Sequence, residues 1–130
     1  MEIKTGRQVI DIEIQALNLL KSYISKDFVK VVNLLLKNKG KIAVSGIGKS
    51  GHIASKIAST LSSVGSPSFY IHPSEANHGD LGMLEKKDAV ILISNSGETS
   101  ELINLILYCK KIKIPIISIT SELNSTLSRE

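Results

Sequence analysis

The chain has no tryptophan, a single cysteine and few aromatic residues, with three Tyr and two Phe in 130 positions. One cysteine cannot close an internal disulfide. Cys109, set in an apolar helical pattern, therefore reads as a core thiol in a reducing compartment rather than as a nucleophile. Long apolar runs are also missing. Ala89-Val90-Ile91-Leu92-Ile93 falls far short of the roughly 20 residues that cross a bilayer, and no apolar signal segment follows Met1. The expected address is the cytoplasm, with no membrane partner. Charge of one sign is only slightly in excess: sixteen Lys and Arg against twelve Asp and Glu give +4. The basic residues are scattered and base-stacking aromatics are scarce, which argues against nucleic acid, whereas a mild positive field suits an anionic metabolite.

What is present is an alternation of helical and strand patterns. With 130 residues and 42% hydrophobic content there is room for one core and not for a second. Gly6 to Lys37 has apolar residues at three-to-four spacing, and Ser25 or Asp27 is the expected cap of a second helix. Lys41–Ser45 reads as a buried strand, Lys49–Ser63 as a helix ended by Gly65-Ser66-Pro67, and Ser68–Ile71 as a second strand. Asp88–Ser94 is the third strand, about Glu98 to Lys111 a helix, and Ile114–Ile119 the fourth strand. Such alternation predicts a doubly wound parallel sheet in three α/β/α layers, with ligands beyond the carboxyl ends of the strands. Asn124-Ser125-Thr126-Leu127 reads as the capped start of a helix that stops at Glu130, so the domain is expected to be incomplete at its C-terminus. Its uncovered sheet edge favours pairing with another chain or with a missing segment.

Three segments carry chemistry. The first, Gly46-Ile47-Gly48-Lys49-Ser50-Gly51, satisfies G-x-G-x-x-G, but the second strand ends in Ile71-His72-Pro73 without the acid that would hold a ribose. Ala43 stands where a Walker A loop requires glycine. The loop still offers backbone amides at a helix N-terminus, with Ser50 as hydroxyl donor and Lys49 as cation. The second segment is Ser94-Asn95-Ser96-Gly97-Glu98-Thr99-Ser100-Glu101. Its hydroxyls and amides can surround a phosphate without a metal, with Gly97 allowing close approach. An ordinary helix cap would explain one serine and Glu98, not hydroxyls on both sides of a glycine. Glu98 and Glu101 are expected one turn apart on one helical face, with pKa values raised by a bound phosphate, which suits a proton-transferring base.

The third segment, His72-Pro73-Ser74-Glu75-Ala76-Asn77-His78-Gly79-Asp80, follows the second strand and is rich in titratable groups, but its spacing matches no structural zinc pattern. His52, inside the first sheet helix, reads as a packing or surface residue.

Together, the segments Gly46–Ala54, His72–Gly82 and Ser94–Glu101 resemble the arabinose-5-phosphate isomerase family over nearly the whole chain. The run Ser94 to Glu101 is common to sugar-isomerase domains, whereas Gly48-Lys49-Ser50-Gly51-His52-Ile53 joined to the His72 loop is particular to this family. The resemblance implies a flavodoxin-like fold and reversible interconversion of D-ribulose 5-phosphate and D-arabinose 5-phosphate, without a redox cofactor, for the acidic sugar of lipopolysaccharide or capsule. By position, Lys49 and Glu101 match catalytic residues, with Glu98 as the second choice. Gly65, Ser66, His72 and His78 match substrate contacts, and the serines of the Ser94–Glu101 segment match the phosphate cradle, which Ser50, Asn95, Gly97 and Thr99 join as substrate-binding residues on their own chemistry. His72 also matches a position where inhibitory zinc binds. The uncovered sheet edge and the apolar faces of the Gly6 to Lys37 helices, more than so small a core can cover, predict a homo-oligomer, dimer or tetramer. Family members continue into a segment with a further catalytic Glu and a His, and most carry CBS modules, none of which occur in these 130 residues. The rival expectations are a non-catalytic sugar-phosphate sensing domain and an inactive fragment.

Overall fold

The computed structural model describes residues 1–129, and these divide into two compact units, Met1–Leu36 and the residues from Lys37 onward. The first unit contains α1 (Glu2–Tyr23) and most of α2 (Lys26–Lys37). α1 starts four residues before the expected Gly6, so Gly6 becomes an interior helix residue at a cost of about 1 kcal/mol. Ile24 leaves the helix in an extended conformation. Ser25 then supplies the expected cap: its Oγ accepts from the Asp27 N–H at 3.3 Å. Asp27 pairs with Lys30 at 2.7 Å on the surface, and this hydrogen bond and charge hold the Asp27 carboxyl below its ordinary range. Every residue of α1 is exposed, including Ile10, Ile12, Leu17 and Leu20.

The second unit is built on four parallel strands, β1 (Ile42–Ser45), β2 (Ser68–Ile71), β3 (Ala89–Ile93) and β4 (Ile116–Ile119), in the order β2-β1-β3-β4. β1 and β3 are buried along their whole length, as the unbroken apolar runs of central parallel strands require, whereas β2 and β4 are partly exposed at the edges. α3 (Lys49–Ser63) packs on β1, β2 and β3, and Ala54 and Ala58 are the small buried residues that permit the close approach. The other face of the sheet, with Ala43, Val90 and Leu92, meets Leu102, Leu105, Ile106 and Cys109 in one cluster. The last three belong to α5 (Ile103–Ile112). This is the three-layer α/β/α arrangement. Cys109 is fully buried and free, and burial pushes its thiol pKa up to about 12, which leaves it inert as a core residue.

Two elements differ from expectation. The helix expected from Glu98 instead begins as a 3-10 turn at Ser100–Leu102 and becomes α-helical only at Ile103. Near the end, Leu127–Arg129 forms a 3-10 turn, while Glu130 lies outside the described residues. Among the described residues no helix is long and apolar enough to cross a membrane. One polar residue is built into the sheet: buried Asp88 accepts from the Lys41 N–H at 2.7 Å and the Glu85 N–H at 2.9 Å, tying together the starts of β1 and β3.

Candidate functional site

The sheet order changes direction at β1 and β3, since the chain crosses from β1 to β2 on one side and from β3 to β4 on the other. The loops that leave the carboxyl ends of β1 and β3 therefore diverge, which opens the crevice where open α/β sheets bind ligands. Both phosphate-binding candidates of the sequence are these two loops.

After β1, the N-cap of α3 is Gly48, which has no side chain to satisfy the first-turn amides. A 15-residue helix thus presents a positive dipole end at the crevice, with Lys49 and Ser50 in its first turn. Lys49 is exposed and makes no ion pair among the described residues. The loop is held from β2: the Tyr70 hydroxyl donates to the Gly46 carbonyl at 2.9 Å, and the Ser45 hydroxyl donates to the Ile71 carbonyl at 2.7 Å. Desolvation raises the Tyr70 phenol above its ordinary value, so it stays a neutral donor. A side chain at position 51 would sit 2.8 Å from the Gly46 carbonyl and 2.9 Å from the Tyr70 hydroxyl, which restricts the position to glycine.

After β3, Ser94 is buried and its Oγ accepts from the Gly97 N–H at 3.0 Å while sharing a 2.7 Å hydrogen bond with Thr99 Oγ1. Ser96 Oγ accepts from the Glu98 N–H at 3.2 Å. Gly97 has φ 67, and a Cβ there would run into the Ser125 side chain. The amides of Ser96, Thr99, Ser100 and Glu101 meet no acceptor among the described residues, and the 3-10 turn beginning at Ser100 has no side-chain cap. These donors, with the serine and threonine hydroxyls, make the loop a candidate cradle for an anion with three terminal oxygens. The Glu101 side chain is exposed and its Oε2 accepts from Ser100 Oγ at 3.1 Å.

The loop after β2 starts with a short helix, α4 (Pro73–Ala76), which packs on the Ser100–Leu102 turn and on α5, so it stands beside Glu101. His72 caps α4: its Nδ1 accepts from the Ser74 N–H at 3.2 Å, and its ring meets Tyr70 edge to face at 6.2 Å. An Nδ1 that accepts leaves the proton of the neutral ring on Nε2. A metal at Nε2 would therefore require the proton to move and the cap to be lost. Among the described residues no group of three or more His, Cys, Asp or Glu could hold a metal ion. His78 is exposed in the turn after α4, and His52 is exposed on α3.

A family model described as the SIS domain matches residues 35–130. The chain belongs to the SIS domain family. Protein RP505 of Rickettsia prowazekii (strain Madrid E) is 50% identical over 124 residues, covering 95% of this chain and 39% of that protein. Arabinose 5-phosphate isomerase KdsD of Pseudomonas aeruginosa is 46% identical over 127 residues, 98% of this chain and 39% of its own length. The solved structure of Escherichia coli CFT073 c3406 in complex with arabinose 5-phosphate matches with a TM-score of 0.92 and 40% identity, over 98% of this chain and 68% of that one. The chain thus spans about 39% of the length of the curated relatives it matches.

Within this SIS domain, the loops carrying Lys49, Ser50, His72, His78, Ser94–Thr99 and Glu101 all leave the carboxyl edge of the sheet. Gly65 and Ser66 do not join them. They precede β2, at the amino edge, where the Pro67 carbonyl accepts from the Ile42 N–H. A four-residue strand, roughly 13 Å, separates the two edges. Glu98 is also not where the sequence pattern puts it. It precedes the helical turn, and both its carboxylate oxygens are occupied at 2.7 Å, one by the Thr126 N–H and one by the Thr126 hydroxyl. Those hydrogen bonds, the hydroxyl first and then the backbone N–H of Thr126, hold its pKa below the ordinary value.

Sequence reading misses the residues that hold this SIS domain's cradle from behind. Asn95 O accepts from the Ser121 N–H at 3.1 Å, Ser121 Oγ at 2.7 Å and Thr120 Oγ1 at 3.2 Å, and Gly97 O accepts from the Leu127 N–H at 3.0 Å. The available signal is the second run of hydroxyl residues after the fourth strand, Thr120, Ser121, Ser125 and Thr126, whose last part resembles the start of a helix.

Proposed function

We propose that this SIS domain binds pentose 5-phosphates and belongs to an aldose-ketose isomerase that interconverts D-ribulose 5-phosphate and D-arabinose 5-phosphate, in the cytoplasm, for the acidic sugar of lipopolysaccharide or capsule. The observation that carries the reading is the pairing of two uncapped helical N-termini at the β1/β3 crevice, one with Lys49 and one lined with hydroxyls and followed by Glu101. The similarity to KdsD and to c3406 in complex with arabinose 5-phosphate supports the choice of substrate.

In this reading the phosphate sits on Ser94, Asn95, Ser96, Gly97 and Thr99, with Ser50 from the facing loop. Glu101 removes the proton alpha to the carbonyl and returns it to the neighbouring carbon. Lys49 and the Nε2–H of His72 stabilise the enediolate oxygens, with His78 as a further sugar contact. A cavity of about 30 Å³ beside Gly97, Glu98 and Ile106 is far too small for a pentose phosphate. The exposed apolar residues of α1 and α2 support self-association into a dimer or tetramer.

Titration calorimetry with arabinose 5-phosphate and with arabinose tests the substrate class. The phosphorylated sugar binds and the free sugar does not, because the phosphate supplies the recognised charge. Equal affinity for both would remove the cradle assignment.

A further inference from the structure

We propose that Glu98 is a positioning residue: gripped by Thr126, its carboxylate holds the Ser94–Thr99 loop in its binding shape and takes no part in proton transfer. The inference deepens the functional reading above and rests on it for the identity of the ligand.

Three groups of the loop face the segment that follows β4. Asn95 O, Gly97 O and the Glu98 carboxylate together accept six hydrogen bonds from Thr120, Ser121, Thr126 and Leu127, between 2.7 and 3.2 Å. Every one of these is an acceptor on the loop side. These three acceptors are thus spent on the segment behind the loop, while the amides of Ser96, Thr99, Ser100 and Glu101 remain as donors for an anion. That division is what a phosphate cradle needs, because a carbonyl or carboxylate turned toward the ligand would repel it. Glu98 makes the point most strongly: its own negative charge sits one residue from the Ser96-Gly97 turn, and the two Thr126 donors engage both its oxygens. Each Glu98 oxygen is thus held by a Thr126 donor that favours the ionised form and fixes the carboxylate on the segment behind the loop, whereas Glu101 has only a single 3.1 Å contact with its neighbour Ser100. Ser125 lies under Gly97 and is fixed by donating to the Glu122 carbonyl, so the segment supports the turn sterically as well.

The test uses Glu98→Gln, Thr126→Val and Thr126→Ser in the full chain, with two readouts. Hydrogen–deuterium exchange without ligand tests the clamp: Thr126→Val and Glu98→Gln speed exchange in residues 94–99, and Thr126→Ser, which keeps both donors, does not. Kinetics with arabinose 5-phosphate test its consequence: Thr126→Val and Glu98→Gln raise KM about tenfold, the scale of one charge-assisted hydrogen bond, and change kcat less than about twofold. Loop exchange unchanged in both variants overturns the proposal. So does a loss of about 100-fold in kcat for Glu98→Gln with Thr126→Val silent, since Glu98 is then the base. If the wild type binds no pentose 5-phosphate while the two variants still loosen the loop, the functional reading fails and the clamp stands.

Discussion

The Tyr70 hydroxyl donates to the carbonyl oxygen of Gly46 at 2.9 Å, so the second strand holds the turn that follows the first. Gly46 is buried and Tyr70 is partly so. Tyr70→Phe therefore leaves a buried carbonyl unpaired and costs about 1–2 kcal/mol of stability. Circular dichroism melts check this, with a fall of roughly 4–8 °C in thermal midpoint expected per kcal/mol for a domain of this size. An unchanged midpoint would show that the turn is held by its glycines alone.

Gly97 tests the second cradle in the same way. At φ 67 any side chain is strained, and its Cβ would also meet Ser125. Gly97→Ala is expected to cost about 2 kcal/mol or more, part from the left-handed backbone and part from the collision. In a Ser125→Gly background, where the collision is gone, Gly97→Ala should cost about 1 kcal/mol, the backbone part alone. Denaturant unfolding of the wild type, both single variants and the double variant separates the two, and an equal cost of Gly97→Ala in both backgrounds would show that Ser125 gives way freely.

The strands, α3 and the three site loops are legible in the sequence because each rests on a local pattern. The apolar runs at Ile42–Ser45 and Ala89–Ile93 have no alternative but burial in a parallel sheet, and glycines punctuate their ends. The placement of Glu98 is not legible, because its partner Thr126 lies 28 residues away and a helix cap looks the same in sequence whether or not a distant donor captures it. Tyr70 reads only as a strand residue, since nothing local shows that its hydroxyl reaches Gly46. Gly65 and Ser66 enter through family resemblance, which assigns a role to a position without saying at which edge of the sheet it lies.

The Glu98 clamp has a pH signature. Because hydrogen bonds from the Thr126 side chain and backbone stabilise the carboxylate, its folded pKa lies below the ordinary 4.5. A depressed carboxylate contributes stability above its unfolded pKa and loses it as pH falls through the folded one, so the clamp is constant near neutrality and weakens only in acid below 4.5. Carboxyl-carbon NMR should place the Glu98 midpoint below 4.5, moving upward in Thr126→Val, since the Thr126 hydroxyl is the largest cause of the shift. A midpoint at or above 4.5 in the wild type would mean that the contact is not kept in solution.

Proton abstraction by Glu101 from a pentose 5-phosphate held at the β1/β3 crevice is the step on which the proposed activity depends. The most direct measurement is deuterium incorporation at the sugar carbon when the whole protein is incubated with arabinose 5-phosphate in heavy water, because exchange reports proton abstraction even where net isomerisation is slow. The wild type should incorporate deuterium and form ribulose 5-phosphate, and Glu101→Gln should still bind the sugar phosphate while exchanging roughly 100-fold or more slowly. Exchange at the wild-type rate in Glu101→Gln would contradict the account.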